Sequence, residues 1–475
     1  MQRLKVTASC PSCGAPFDFL EGANVAKCNF CGLPLLFLSQ KKILRYYLKP
    51  KLTRGEIPFL IDRYRKKKGQ SLSKRTDEIK RFYLPFWRFT AEVFYTIINN
   101  TFLDFTSENL DEEIMTKDWD ISFAAHTTND LGIVSLGMRP EWLELSLLTE
   151  KDILKKEEVL NLEIDSPSAK EKALKPLYFY IDKKKSSEDE LVLRLLEQRL
   201  SLIYFPLWVV NFTSPEGEFF QIIDGITKRT LKQGRGNFEL KKERKEDAAK
   251  LYPLKIIPHR CPNCGWDLPV NQFHLVFPCD NCERIWKLSE KGYQEVKGEK
   301  AKPKQKYNSH LPRSLGYYPF WVFQTEIPDK KRLSIQDVLN ILPSEIGLFK
   351  VVKKSNPFLF YIPAFEIKNL KKVPDISLAF TRTQPDLSIQ PAKNENLKGV
   401  FISEEDAKEL AEILWTNLLS SKQNINLTDW RNLKFERGKI IWIPFYQDGI
   451  FLRDAEIGYG FQKVSVGAYS KKNKN

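Results

Sequence analysis

The sequence predicts an α+β protein built as a tandem duplication, each half a four-cysteine ribbon followed by an antiparallel-sheet unit with packed helices. Three observations carry this expectation. Pairs of C-x-x-C recur with one spacing at Cys10, Cys13, Cys28 and Cys31 and again at Cys261, Cys264, Cys279 and Cys282. A proline–aromatic motif then repeats in matching order behind each set. Between these motifs, runs of two-residue and of helical hydrophobic period both occur.

Each cysteine set reads as Cys-Pro-x-Cys-Gly, fourteen residues from Cys to Cys, and a second knuckle, Cys28-Asn-Phe-Cys31 or Cys279-Asp-Asn-Cys282. A C-x-x-C turn brings two sulfurs to one ion, and four thiolates suit the tetrahedral shell of Zn²⁺. Glycine behind the second cysteine eases the knuckle, because it accepts positive φ. Phe17, Phe19 and Val25 in the first copy, and Val270, Phe273 and Val276 in the second, supply apolar residues for the intervening strands. All eight cysteines of the chain are used, so the cofactor expectation is two structural Zn²⁺ with no ligand position left for substrate.

These knuckles resemble the zinc ribbons of general transcription factors, RNA polymerase subunits and the replication-restart helicase over about thirty residues per copy. The helicase likeness stops there, since no G-x-x-x-x-G-K-[ST] phosphate loop follows. With Pro85-Phe86-Trp87 and Pro319-Phe320-Trp321 opening strands behind the two cysteine sets, the chain also resembles uncharacterised bacterial zinc-ribbon proteins, some of which carry membrane segments. That resemblance implies a bacterial origin.

The proline motif stands at Tyr83-Leu84-Pro85-Phe86-Trp87, Tyr204-Phe205-Pro206-Leu207-Trp208, Tyr317-Tyr318-Pro319-Phe320-Trp321 and Trp442-Ile443-Pro444-Phe445-Tyr446, with weaker forms at Pro140 and Pro363. The outer prolines are 121 residues apart in the first half and 125 in the second. Order and spacing together imply a repeat, with halves at about 1–245 and 250–475. The expected organisation is a ribbon at 1–40, a basic segment at 41–81, an α+β unit at 82–245, a ribbon at 250–292, a charged linker at 293–312 and a second α+β unit at 313–475. Within the linkers, 241–250 and 298–306 read as connectors.

After Pro85, apolar residues from Trp87 to Ile97 alternate with Arg88, Thr90, Glu92 and Thr96, the pattern of a strand with one wet face. The aromatics fall on the apolar side, which favours packing over stacking with nucleobases. Ser403 caps a helix through Ala407, Leu410, Ala411, Leu414 and Leu418, and Ser187 is expected to do the same before Leu191, Leu195 and Leu196. Asp224-Gly225 suggests a hairpin turn after the third proline strand.

Length bounds the rest. At 475 residues the chain exceeds one ordinary core, and 42% hydrophobic residues suit a folded protein. No run reaches the roughly 20 apolar residues of a membrane span; Leu200 to Phe212 is broken by Ser201, Pro206 and Asn211. Cys10 follows too soon for a signal peptide, which places the protein in the cytoplasm, where thiols stay reduced.

The net charge of +15 is concentrated, with +11 in residues 41–81. Lys41, Lys42, Arg45, Lys49, Lys51, Arg54, Arg63, Arg65, Lys66, Lys67 and Lys68 alternate there with Tyr46, Tyr47 and Tyr64, a mixture that suits phosphate contacts and stacking. A nucleic acid or an anionic membrane surface would be the partner, and the plain alternative is a solvated helix or linker. His126, His259, His274 and His310 form no H-E-x-x-H pair, and the acidic residues between Asp104 and Asp120 read as solvated surface. With no catalytic motif, the leading expectation is a non-enzymatic interaction or scaffold protein that docks protein partners.

Overall fold

Strands dominate the chain, in keeping with its many β-branched and aromatic residues. The computed structural model describes residues 3–38, 43–67, 75–98, 114–126, 144–148, 159–160, 162–187, 189–214, 217–238, 254–289, 292–304, 314–326, 332–342, 353, 355–393, 396–420 and 433–462. It divides into two compact units, the first Met1–Thr90, Trp119–Ile181 and Gln198–Pro258, the second Ala91–Asp118, Asp182–Glu197 and His259–Asn475. No described helix is long and apolar enough to cross a membrane.

The chain runs β1 (Lys5–Ser9), β2 (Pro16–Leu20), β3 (Val25–Lys27), β4 (Pro34–Leu38), β5 (Ile43–Leu48), α1 (Ile57–Lys67), β6 (Arg75–Ile98), β7 (Met115–Ala124), β8 (Leu145–Leu147), α2 (Ser166–Asp182), β9 (Glu190–Ser214), β10 (Gly217–Asp224), β11 (Thr230–Arg235) and β12 (Lys255–Pro258). One sheet follows the order β11-β10-β9-β5-β8-β1-β2, with β6 beside β9 and β7 beside β6; β12, β4 and β3 form a small second sheet. The expected all-antiparallel pairing is corrected here, because β5 runs parallel to β9 and β1 parallel to β8. The basic segment therefore holds a sheet strand and a helix. Helix α1 seats Ile57 and Ile61 against Leu52, Trp208, Val210, Phe212 and Ile223.

Three expectations for this half are overturned. Strand β6 lacks the expected wet face after Pro85, since Arg88, Thr90 and Thr96 are as buried as Trp87 and Phe89, with Glu92 half-buried. Leu191, Leu195 and Leu196 lie in β9, so Ser187 caps no helix. Their helical spacing is outweighed by the ladder that β9 forms with its neighbours. The helix before that strand is α2, whose N-terminus is held by Asp165, with Ser168 N donating to its carboxylate at 2.9 Å. Finally, Asp224-Gly225 joins β10 to β11, one strand later than expected, as Asp224 Oδ1 accepts from Ile226 N and Thr227 N at 2.7 and 3.0 Å.

Onward, the order is β13 (Val276–Pro278), β14 (Ile285–Ser289), β15 (Gly292–Val296), β16 (Glu299–Ala301), β17 (Leu315–Glu326), α3 (Ile335–Ile341), β18 (Leu359–Pro363), α4 (Lys372–Thr383), β19 (Ile389–Pro391), α5 (Glu404–Ser420), β20 (Lys434–Phe435), β21 (Lys439–Asp448), β22 (Phe451–Asp454) and β23 (Gly460–Gln462). The main sheet is β18-β17-β21-β16-β19, where β16 runs parallel to β21. Trp321, Phe323, Phe360 and Trp442 pack with Ala407, Leu410, Leu414 and Trp415 of α5, and Phe94 and Leu196 join the same cluster. Phe320, Tyr361 and Phe445 pack with Ile376 and Phe380 of α4. Ser403 caps α5 as expected, its Oγ accepting from Asp406 N at 3.0 Å. The stretch 298–306 is more than a connector: Glu299–Ala301 is a paired strand, and Lys300 is buried with its ammonium 4.9 Å from the Tyr317 ring centroid.

Several bonds recur between the halves. Ala125 N donates to Pro85 O and Ala364 N to Pro319 O, both at 2.8 Å; Gly225 N donates to Pro206 O at 3.0 Å and Ala455 N to Pro444 O at 2.9 Å. The indole Nε1 of Trp87 donates to Ile164 O and that of Trp321 to Ile402 O, both at 2.8 Å. Tyr46 pairs with Ile203 across β5 and β9, and Glu299 with Ile441 across β16 and β21. Pro140, paired with Pro363 by sequence, lies outside the described residues, as does 241–250; the bond made by Ala364 is made in the first half by Ala125.

Candidate metal centres

Each knuckle is closed locally. Gly14 N donates to Cys10 O, Gly32 N to Cys28 O and Gly265 N to Cys261 O at 2.9 Å, and Glu283 N to Cys279 O at 3.0 Å. These turns gather Cys10, Cys13, Cys28 and Cys31 in one cluster and Cys261, Cys264, Cys279 and Cys282 in another, all four sulfurs of each within 4.8 Å of one another. The cysteines are free thiols, not disulfides. Sγ–Sγ separations of 3.8 Å for Cys10–Cys31 and Cys13–Cys28, and 3.6 and 3.5 Å for Cys261–Cys282 and Cys264–Cys279, match the edge of about 3.8 Å of a tetrahedron whose corners lie about 2.3 Å from its centre. Either cluster could hold a metal ion.

Donors around Cys28 and Cys264 favour thiolates, whereas burial and the neighbouring sulfurs raise Cys31 to about 11. The backbone amides of Cys31 and Phe30 hold the Cys28 thiol down at about 7, while Asn281 and the Trp266 amide hold that of Cys264 at about 6. Burial pushes the Cys279 thiol up to about 12. Trp286 Nε1 also donates to Cys261 Sγ at 3.2 Å.

The fourth knuckle departs from the others. Where Gly32 stands at φ +72°, Glu283 holds φ +58° with a side chain that strains this region. Its exposed contact with Lys393, at 4.0 Å, offsets little. Glu283→Gly is expected to stabilise the second ribbon by about 1 kcal/mol, read as a higher melting temperature of the metal-loaded protein; an unchanged or lower one contradicts this.

The second ribbon is seated on the 396–402 segment. Leu275 N donates to Val400 O at 2.8 Å, and the Phe273 and His274 rings both lie 5.8 Å from that of Phe401. Val270 and Phe273, expected in strands, fall outside them because this contact holds the loop instead. A Cβ on Gly399 would enter the His274 ring. Gly399→Ala is therefore expected to cost about 1–3 kcal/mol through overpacking, seen as a lower urea midpoint, and a wild-type midpoint would refute the seating. Burial holds both His259 and His274 down at about 4, so they are neutral packing residues at pH 7.

Compared with family models, curated proteins and solved structures, the chain matches none. The likeness to Pro-Phe-Trp ribbon proteins thus rests on the motifs alone.

A second charged site escaped the sequence reading. Arg88, 3% exposed, donates from Nε and Nη2 to both carboxylate oxygens of Asp120 at 3.0 and 2.7 Å, and from Nη1 to Glu21. Ser201 Oγ donates to the other Glu21 oxygen at 3.0 Å. Asp120, expected as solvated surface, is thereby a buried arginine's partner. The two-residue period places Arg88 on a wet face, and no local signal joins Glu21 to it.

Of the basic residues, Lys49, Lys51, Arg54, Arg63 and Lys66 are exposed and Arg45 half-buried. Arg65 and Lys67 fall within α1, while Lys41, Lys42 and Lys68 lie outside the described residues. Tyr46 is fully buried in β5, which corrects its assignment as a stacking ring, and Tyr47 is half-buried. His310 is also outside the described residues, and His126 Nδ1 lies 3.1 Å from Glu163.

Proposed function

We propose that the protein is a non-enzymatic interaction protein made of two copies of one unit, each stabilised by a structural Zn²⁺. The observation that carries this is the closure of both sites: four thiols at tetrahedral spacing complete the shell and leave no corner for water or substrate. Cys10, Cys28, Cys261 and Cys279 are buried besides, which turns each ion toward its own fold. The duplication is supported by the recurring bonds at Pro85 and Pro319, at Pro206 and Pro444, and at Trp87 and Trp321. Such units present their outer surfaces to partners. Elemental analysis of purified protein is expected to give two zinc ions per chain, and one in either Cys10→Ser or Cys261→Ser; two retained by both variants would refute the ligand sets.

A further inference from the structure

The first unit carries a continuous basic surface that the sequence only half reveals. Lys51 N and Leu52 N both donate to Gly225 O, at 2.8 and 2.9 Å, so the segment before α1 abuts the turn between β10 and β11. Lys228 of that turn reaches Glu56 at 2.7 Å. Strand β11 is an edge of its sheet, and its Arg235 pairs with Phe219, which packs beside the buried face of α1. Lys49, Lys51, Arg54, Arg63 and Lys66 are thereby joined by Lys228, Arg229 and Arg235, all exposed. Only Glu56 and Asp62 oppose them along 49–66, and Glu56 is engaged by Lys228.

Amid these cations stands one large exposed ring. Phe59 is 76% accessible, on the α1 face opposite Ile57 and Ile61. Arg63 and Lys66 follow it at the four- and seven-residue spacing that keeps them on the same face. An apolar ring flanked by cations fits an unpaired base between phosphates, because stacking needs a base freed from its partner while the charges follow the backbone. A duplex offers the charges alone.

Resting on the reading of the chain as an interaction protein, we propose that this surface binds single-stranded nucleic acid, Phe59 stacking on a base and Arg54, Arg63, Lys66 and the β10–β11 turn holding phosphates. The test is fluorescence anisotropy of the full-length, zinc-loaded protein with labelled 20-nucleotide DNA and RNA strands, a duplex of equal length, and vesicles with and without phosphatidylserine, from about 50 to 200 mM salt. The expected result is binding to single strands that Phe59→Ala weakens about tenfold, with duplex binding unchanged. Combined Arg54→Gln, Arg63→Gln and Lys66→Gln should lower the salt slope by about two, at about 0.7 per phosphate. Absence of binding at low salt, indifference to Phe59→Ala, or binding to anionic vesicles in place of the strands would overturn the proposal. Each variant's zinc content is measured alongside: normal zinc with no binding refutes this surface alone, whereas the zinc count decides the reading beneath it.

Discussion

Cys261→Ser is expected to open the second ribbon, while Cys10→Ser leaves much of the first in place. Under the proposed zinc sites, each ion would contribute on the order of 10 kcal/mol, so either loss is large. The two ribbons have different secondary supports. In the first, β1 pairs with β8 as well as β2, and β4 pairs with β12, so strands from outside the ribbon hold it on two sides. In the second, β13 and β14 are three and five residues long and pair with each other and β15, with a single bridge from Val276 to Val400. Val276 and Ile285 also belong to the core of their unit, so opening this ribbon exposes that core. Hydrogen exchange should lose protection across 259–289 in Cys261→Ser and keep it across 5–9 in Cys10→Ser. Equal loss in both variants would show that strand pairing does not support the first ribbon.

Arg88→Leu should be among the most damaging single changes in the first unit, costing about 3–5 kcal/mol, because it leaves the carboxylate of Glu21, 6% exposed, without its counter-charge. The double change with Glu21→Leu should recover much of that loss, since a buried pair replaced by apolar groups is often neutral. Under the proposed duplication, Val322 and Leu359 occupy in the second half the places of Arg88 and Asp120, so the same scaffold already accepts an apolar version. Urea denaturation of the two variants decides it. A double variant as unstable as Arg88→Leu would mean that the pair shapes the sheet beyond balancing its own charges.

What the sequence disclosed was local chemistry. Cysteine knuckles are written in four consecutive residues, and the α5 cap in Ser403 and Asp406 three residues apart, so both could be found without the fold. Long-range neighbours could not. Leu191, Leu195 and Leu196 mimic a helical stripe, yet β9 draws them into a strand. Arg45 and Lys49 made β5 and its flank look like a solvated run, although Tyr46 and Leu48 bury their side chains in that strand. The Glu21–Arg88–Asp120 cluster joins residues 67 and 32 positions apart, and nothing in the spacing of a single charge announces a partner at such range.

Strands β6 and β9 run for 24 and 25 residues, and each has its middle in one unit's share of the chain and an end in the other's. Phe94 and Leu196, from those ends, are part of a core that also takes Ile114 and otherwise buries residues beyond 259. The boundary near residue 250 that the sequence motifs suggest is consequently not a boundary of the fold. A gene cut there would produce a C-terminal fragment missing pieces of its own interior. The second unit draws on residues encoded before 250 and is to be expressed and folded together with them.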